Sequence, residues 1–394
     1  MKLLVWVSSL DLRHPFSSTP AWWQLLKALS EIGVEVLVAP YHGNPIESLW
    51  WQVYDNPCRT EGDIFEQGRK LMRRLVHSNG RADLKPKNEQ LSDIAVRKLA
   101  QAYIRPRWQR HFSRILTHQK DVDALLILTV PPNHIVGLPT WIRERFDIPV
   151  VYYDGDVPAS LPQSQGFASG FRIYQEADLS EFDLVLSNSK GGMSDLLQLG
   201  ARRVDVLYYG VDPDVFRQMD LEKDIDVFFY GHGQEYREEW IESMIAQPSR
   251  AMQAARFGVR GTRLELRDAD VQLFPYASLS KLREYCCRSK INLVITRKTH
   301  ASVYASSTSR PFELAAMGCC MVSSPYSGIE EWFVPDEEVV LVDEHTDVCS
   351  VYTSLLANPR LGQEIGRRAR TRVLAEHTFQ QRARQLQTLI GSIH

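Results

Sequence analysis

The chain has 394 residues, with 46 Lys and Arg against 48 Asp and Glu, and 44% of it is hydrophobic. At roughly 100–200 residues per domain, this length predicts two domains, each long enough for its own core. A net charge of −2 excludes a general nucleic-acid-coating protein, and 22 Gly with 20 Pro exclude a collagen-like or low-complexity chain.

In chain order, apolar runs of about four to eight residues alternate with helical periodicity. The first, 3–7, is shorter than the roughly 7–15 residues of a secretory h-region and reads as a strand. A helix over 20–32 follows, then a strand over 34–39. Residues 41–120 carry helical patterns at 64–76 and 91–116 but no convincing strand, so they read as a helical insertion. Strands are then expected at 124–130, 149–153, 184–186 and 204–208, and after a Gly/Pro turn at 226–230, 291–295, 321–323 and 339–342. Continuous apolar runs mean strands buried on both faces, hence parallel sheets covered by helices. The fold class is α/β, with two doubly wound Rossmann-like domains, 1–200 and 201–375, and an amphipathic helix over 376–394. No run reaches the roughly 18 apolar residues of a membrane helix. Six cysteines without CxxC or metal-ligand spacing read as small core hydrophobes in a reducing, cytoplasmic setting.

The most informative stretch is Thr308-Ser-Arg-Pro-Phe-Glu-Leu-Ala-Ala-Met-Gly318. Pro311 suits the first turn of a helix that Gly318 closes. Free N–H groups, small hydroxyls such as Ser309, and the Arg310 guanidinium make such a helix start an anion site. Glu313 has the chemistry to bind the vicinal hydroxyls of a ribose, or it simply complements the helix dipole. The segment Tyr230-Gly-His-Gly-Gln-Glu-Tyr-Arg237 is not a GxGxxG fingerprint, and the chain has no P-loop, GxSxG or HExxH motif. Between Arg97 and His118 there are Arg97, Lys98, Arg105, Arg107, Arg110 and Arg114 and no acid. This stretch fits an anionic acceptor or membrane face, but Trp108, Phe112 and Ile115 at helical spacing favour a core-facing helix with solvated arginines. Ser17–Thr19 reads first as the cap of helix 20–32, and His14 and His42 as surface histidines. Trp22–Trp23 and Trp50–Trp51 suit sugar stacking or core packing equally.

Taken in order, 200–216, 278–285, 289–295, 310–318 and 328–333 resemble GT-B glycosyltransferases of the retaining, family-4-like type. The Arg-x-Phe-Glu helix start is most similar to the spore maturation branch. The resemblance implies two domains facing each other across a cleft, with a last helix returning to the first. It implies an enzyme that transfers a sugar from a nucleoside-diphosphate sugar to a glycan, lipid-linked or small-molecule hydroxyl acceptor. Gly231, Arg237, Tyr276, Ser309, Arg310 and Glu313 would bind the donor. Arg237 and Arg310 would stabilise the leaving diphosphate, with Asp154 and Asp156 as the catalytic carboxylates of the first domain. No cofactor, metal or nucleic acid would be involved. Asp154-Gly-Asp156 also has the form of the metal-binding pair of single-domain glycosyltransferases, or of a plain strand-to-loop turn. One departure stands out. The wider family carries a second glutamate eight positions before Glu313, where this chain has Ala305. That keeps open a non-catalytic binding protein, and an epimerase or hydrolase on the same fold is a further alternative.

Overall fold

The computed structural model describes residues 1–12, 19–60, 91–164, 172–234, 237–266 and 268–393. They form two compact units, Met1–Leu207 with Ala383–His394, and Tyr208–Arg382. The expected helix at 64–76, as well as His14, Ser17 and Ser18, lies outside the described residues.

The first unit is built on seven strands: β1 (Lys2–Ser9), β2 (Glu35–His42), β3 (Gln52–Val53), β4 (Ala124–Leu128), β5 (Val150–Asp154), β6 (Leu184–Ser187) and β7 (Val204–Val206). They run parallel in the order β3-β2-β1-β4-β5-β6-β7. Val5 of β1 lies between Val38 and Leu126, and seven of the eight β1 residues are buried, as a centre strand covered on both faces requires. The basic stretch forms helix Leu91–Leu99, a π-helical turn at Ala100–Ile104 and helix Arg105–His118. Trp108, Phe112, Ile115 and Leu116 face the core, where Trp6 meets Trp108 with ring centroids 4.7 Å apart. Arg97 is bound bidentate to Glu176 at 3.0 and 2.9 Å, and Arg105 donates to the Val136 carbonyl at 2.7 Å. Trp108 and Phe112 are therefore packing residues, whereas Tyr103 is exposed against Arg107, and β3 is a two-residue strand inside the segment expected to hold none. Trp22 is fully buried and donates through Nε1 to Thr129.

The second unit is built on six strands: β8 (Ile225–His232), β9 (Phe257–Thr262), β10 (Val271–Leu273), β11 (Ser289–Val294), β12 (Met321–Ser323) and β13 (Val340–Leu341). They are also parallel, in the order β10-β9-β8-β11-β12-β13. β9 and β10 carry no apolar run in the sequence, for a physical reason. A Cβ at Gly258 would lie 2.7 Å from Phe274 Cε2, and one at Gly261 would lie 2.2 Å from the Gly231 carbonyl oxygen. The Phe274 ring over 258 and the β8 backbone beside 261 leave room only for glycine, and β10 is a partly exposed edge. Helices Leu279–Arg288, Val348–Ala357 and Pro359–Glu376 start at Ser278, Asp347 and Asn358, whose side chains cap backbone N–H groups.

The last helix is Phe379–Gly391. From Ala383 onward its residues group with the first unit, where Gln385 donates to the Val206 carbonyl and Arg203 to Ser392 Oγ. Each sheet has one topological switch point, between β1 and β4 in the first unit and between β8 and β11 in the second. There the crossover connections diverge and leave the strand ends open to a ligand. Among the described residues, no helix is long and apolar enough to cross a membrane.

Candidate active site

The second switch point gathers most of the residues singled out above. The carbonyl of Ile295, just after β11, accepts hydrogen bonds from two guanidiniums, Arg237 Nε at 3.3 Å and Arg310 Nη1 at 2.9 Å. Arg237 Nη1 also donates to the Gln234 carbonyl at 2.7 Å. Arg310 is the second residue of helix Ser309–Ala316, and its guanidinium carbon lies 5.2 and 5.0 Å from the ring centroids of Phe229 and Tyr230. These aromatic faces attract the cation without neutralising it. Gly231 follows them on β8, and a Cβ there would sit 2.5 Å from Arg310 Nη2. Arg310 Nε is buried without a hydrogen-bond partner. Two fixed positive charges thus converge on one oxygen at the start of a helix, which is an anion-binding arrangement.

Glu313 stands one turn beyond Arg310, partly buried, and accepts a 2.7 Å hydrogen bond from the Tyr230 hydroxyl at Oε2. Burial raises its carboxyl above the usual range, while the Tyr230 hydrogen bond and the Arg310 charge pull it back. Burial and the facing Glu313 charge push the Tyr230 phenol well up, so it stays a donor. Among the described residues, Oε1 of Glu313 has no protein partner. Ser309 opens the helix, and the Thr308 cap position makes no side-chain hydrogen bond to it. Tyr276 stands apart from this group: it is 77% exposed on the loop after β10, with the Arg260 guanidinium 4.0 Å from its ring centroid. Ala305 is fully buried at φ +46°, and a Cβ on Gly328 would lie 2.2 Å from its backbone nitrogen. The position is sealed by the 326–329 turn.

In the first unit, Asp154 ends β5 with its carboxylate fully buried. Oδ1 accepts from the Asp156 N–H at 2.9 Å, and Oδ2 accepts from the Ser160 and Tyr174 hydroxyls. Asp156 is partly exposed. The two aspartates therefore differ: one ties its own loop together and the other lies at the loop surface. Among the described residues, no three His, Cys, Asp or Glu side chains are grouped as metal ligands. Sequence reasoning passed over Tyr230 and Ile295, neither of which carried a signal that could have found it.

Residues 231–388 match the sequence model of the family described as Glycosyl transferase-like, starting at the glycine beside Arg310. No protein of curated function matches the chain by sequence. Among solved structures, sucrose-phosphate synthase from Thermosynechococcus elongatus is similar at TM-score 0.63 and 14% identity, over 100% of this chain and 99% of that one. Anabaena HepE in complex with UDP-glucose is similar at TM-score 0.59 and 11% identity, over 99% of both chains. A glycosyltransferase from Rickettsia africae matches at TM-score 0.60 and 12% identity, over 100% and 98%. The chain has the GT-B glycosyltransferase fold. Both parallel sheets of that fold are present, and the Arg237–Arg310–Glu313 group occupies the switch point of the second GT-B sheet.

Proposed function

We propose that this chain is a glycosyltransferase that moves a sugar from a nucleoside-diphosphate sugar to a hydroxyl acceptor, with retention and without a divalent metal. The observation that carries the reading is the pair of guanidiniums on the Ile295 carbonyl at the start of helix Ser309–Ala316. The donor diphosphate lies between that helix start and Arg237, and the ribose hydroxyls meet Oε1 of Glu313. As the glycosidic bond breaks, negative charge grows on the departing diphosphate. Arg237, Arg310 and the helix N–H groups are already in place to stabilise it, which is the largest lever such a site has. Fixed cations do the work that a metal does elsewhere. HepE, similar in fold, was solved with UDP-glucose, which supports a nucleotide-sugar donor here. The Arg310-x-Phe312-Glu313 helix start supports the spore maturation branch within this group. Tyr276 offers an aromatic face to the base, and Asp156 serves the acceptor side of the reaction.

Ala305 favours one second reading, a protein that binds the donor without turning it over, because its buried methyl group cannot touch a sugar. The test is release of nucleoside diphosphate from UDP-, GDP-, dTDP- and CDP-sugars in EDTA, with and without hydroxyl acceptors. Release from one donor is expected, faster with acceptor. Binding without release from any of them supports the second reading.

A further inference from the structure

One face of the basic stretch is turned away from the core. The chain from Leu91 to His118 is helical throughout, by way of the π-helical turn at Ala100–Ile104. Trp108, Phe112, Ile115 and Leu116 turn inward. Leu99, Tyr103, Arg110 and Arg114 recur at intervals of one and two turns on the side facing away from them. Leu99 is 51% and Tyr103 52% exposed, and Ala102 beside them is exposed as well. The Arg107 guanidinium lies 4.4 Å from the Tyr103 ring centroid and donates to its hydroxyl at 3.2 Å. Arg110 and Arg114 are both exposed, and among the described residues neither has a carboxylate within ion-pair distance. Arg110 donates to the Pro106 carbonyl at 3.4 Å, which leaves its charge in place. No acid occurs from 94 to 120. Apolar side chains thus occupy one half of this stripe and uncompensated cations the other.

We propose that this stripe is a docking surface for an anionic lipid bilayer, with Leu99 and Tyr103 entering the headgroup layer and Arg110 and Arg114 meeting lipid phosphates. The inference stands independently of the nucleotide-sugar reading. Charge complementarity is its first warrant. Two exposed guanidiniums without carboxylates of their own are attracted by a surface of many negative charges, and no acid of their own helix opposes that attraction. The apolar half of the stripe is the second warrant, and it selects a bilayer over a soluble polyanion. A nucleic acid offers nothing to Leu99, and one side of the Tyr103 ring is already taken by Arg107. A lipid interface accepts all four side chains, with the apolar parts at the acyl boundary and the guanidiniums at the phosphates. The opposite face of the helix is committed to the core, so contact is limited to a stripe roughly 20 Å long. Binding is therefore peripheral, reversible and weakened by salt.

The test is co-sedimentation of the full chain, without nucleotide, with vesicles of phosphatidylcholine alone and of phosphatidylcholine mixed with phosphatidylglycerol. The wild type should bind the mixed vesicles, bind pure phosphatidylcholine far more weakly, and be released by salt. Each cation near an anionic surface contributes roughly fivefold to partitioning, so Arg110→Gln combined with Arg114→Gln should lose about 25-fold. Leu99→Ser combined with Tyr103→Ser should lose roughly tenfold, and what remains should stay sensitive to salt. Arg367→Gln combined with Arg368→Gln removes the same charge from exposed arginines that pair with Glu364 in the other unit, and should bind as wild type. No binding of the wild type to mixed vesicles overturns the proposal, and so does an equal loss in the Arg367 and Arg368 variant. Vesicle binding that a single-stranded oligonucleotide displaces and that survives the Leu99 and Tyr103 changes would mark a general polyanion surface, which also overturns it. Should the Leu99 and Tyr103 variant fail to fold, as read from its circular dichroism melt, the Arg110 and Arg114 variant and the oligonucleotide competition decide.

Discussion

At the scale of single residues, Glu313 and Asp154 show how a carboxylate divides its work. Glu313 accepts from the Tyr230 hydroxyl at Oε2, and in the proposed scheme its Oε1 meets the ribose hydroxyls. Glu313→Gln retains an acceptor for Tyr230, so its melting temperature should stay near wild type while UDP affinity drops by about 1.5–3 kcal/mol. Glu313→Ala should lose the same affinity and also about 1–3 kcal/mol of stability, because the buried Tyr230 hydroxyl is left unpaired. Calorimetry and thermal melts of the two variants separate these effects. In the other unit, Asp154→Asn replaces a buried acceptor of two hydroxyls with an amide, and a loss of about 1–3 kcal/mol is expected in a urea melt. Asp156→Asn should melt as wild type and lose about 10²-fold or more in turnover, as for a positioned polar catalytic group. If Asp156→Asn turns over at the wild-type rate, the loop after β5 is a turn with no catalytic part. Arg310 and Glu313 were legible in the sequence as a helix start with anion-binding chemistry, and Gly231 only through the family resemblance. The tether from Tyr230 and the burial of Ala305 were not, because both depend on chain segments brought together only by the fold.

At the scale of elements, the helix Ser309–Ala316 is placed by its neighbours more than by its own propensity. Gly328, at φ +81°, lets the following turn close over Ala305, and any side chain there would collide with backbone. Gly328→Ala should cost more than about 2 kcal/mol, by strain and by displacing the segment that leads into the helix. At Gly231, φ +155°, an added Cβ meets side chains rather than backbone, Arg310 Nη2 at 2.5 Å and Phe229 Cζ at 3.0 Å, so a smaller stability loss than at Gly328 is expected, with a roughly tenfold weaker UDP affinity. Equal effects from the two substitutions, in melts and titrations, would contradict this distinction. The strands tell a similar story about legibility. Those with continuous apolar runs, β1, β2, β4, β5, β8 and β11, stand out in the sequence. β9 does not, because the Phe274 ring puts glycine at 258 and the Gly231 carbonyl puts it at 261, and β10 does not, because an exposed edge has less need of apolar residues on both faces.

At the scale of the whole molecule, four histidines that burial shifts down, the partly buried His111 and His134 and the buried His300 and His377, set the response to acid. Burial, with His42 and Arg97 nearby, lowers His134 to about 4; burial with Arg382 and Arg372 lowers His377 to about 3; His300 also lies well below its ordinary value. Each folded pKa lies below the unfolded one. The stability these groups contribute is therefore full above about pH 6.5 and falls as the unfolded chain takes up protons, by up to about 1.4 kcal/mol per pH unit for each histidine. Glu181 and Glu313, whose carboxyls are raised by burial, act in the opposite sense closer to pH 4.5. Differential scanning calorimetry from pH 7.5 to 5 should show the melting temperature falling below 6.5, and a flat or rising trend would contradict the neutral state of these rings.

The most direct measurement on the function itself is a thermal shift of the full chain in EDTA with UDP-, GDP-, dTDP- and CDP-sugars, repeated on Arg310→Gln. A ligand at 100 times its Kd adds about 2.7 kcal/mol, and for a unit of this size that raises the melting temperature by roughly 5–10 °C. One donor class should produce that shift in the wild type with no metal present, and Arg310→Gln should lose most of it. No shift with any donor, or a shift that appears only when Mn²⁺ is added, would contradict a diphosphate site built on Arg237 and Arg310.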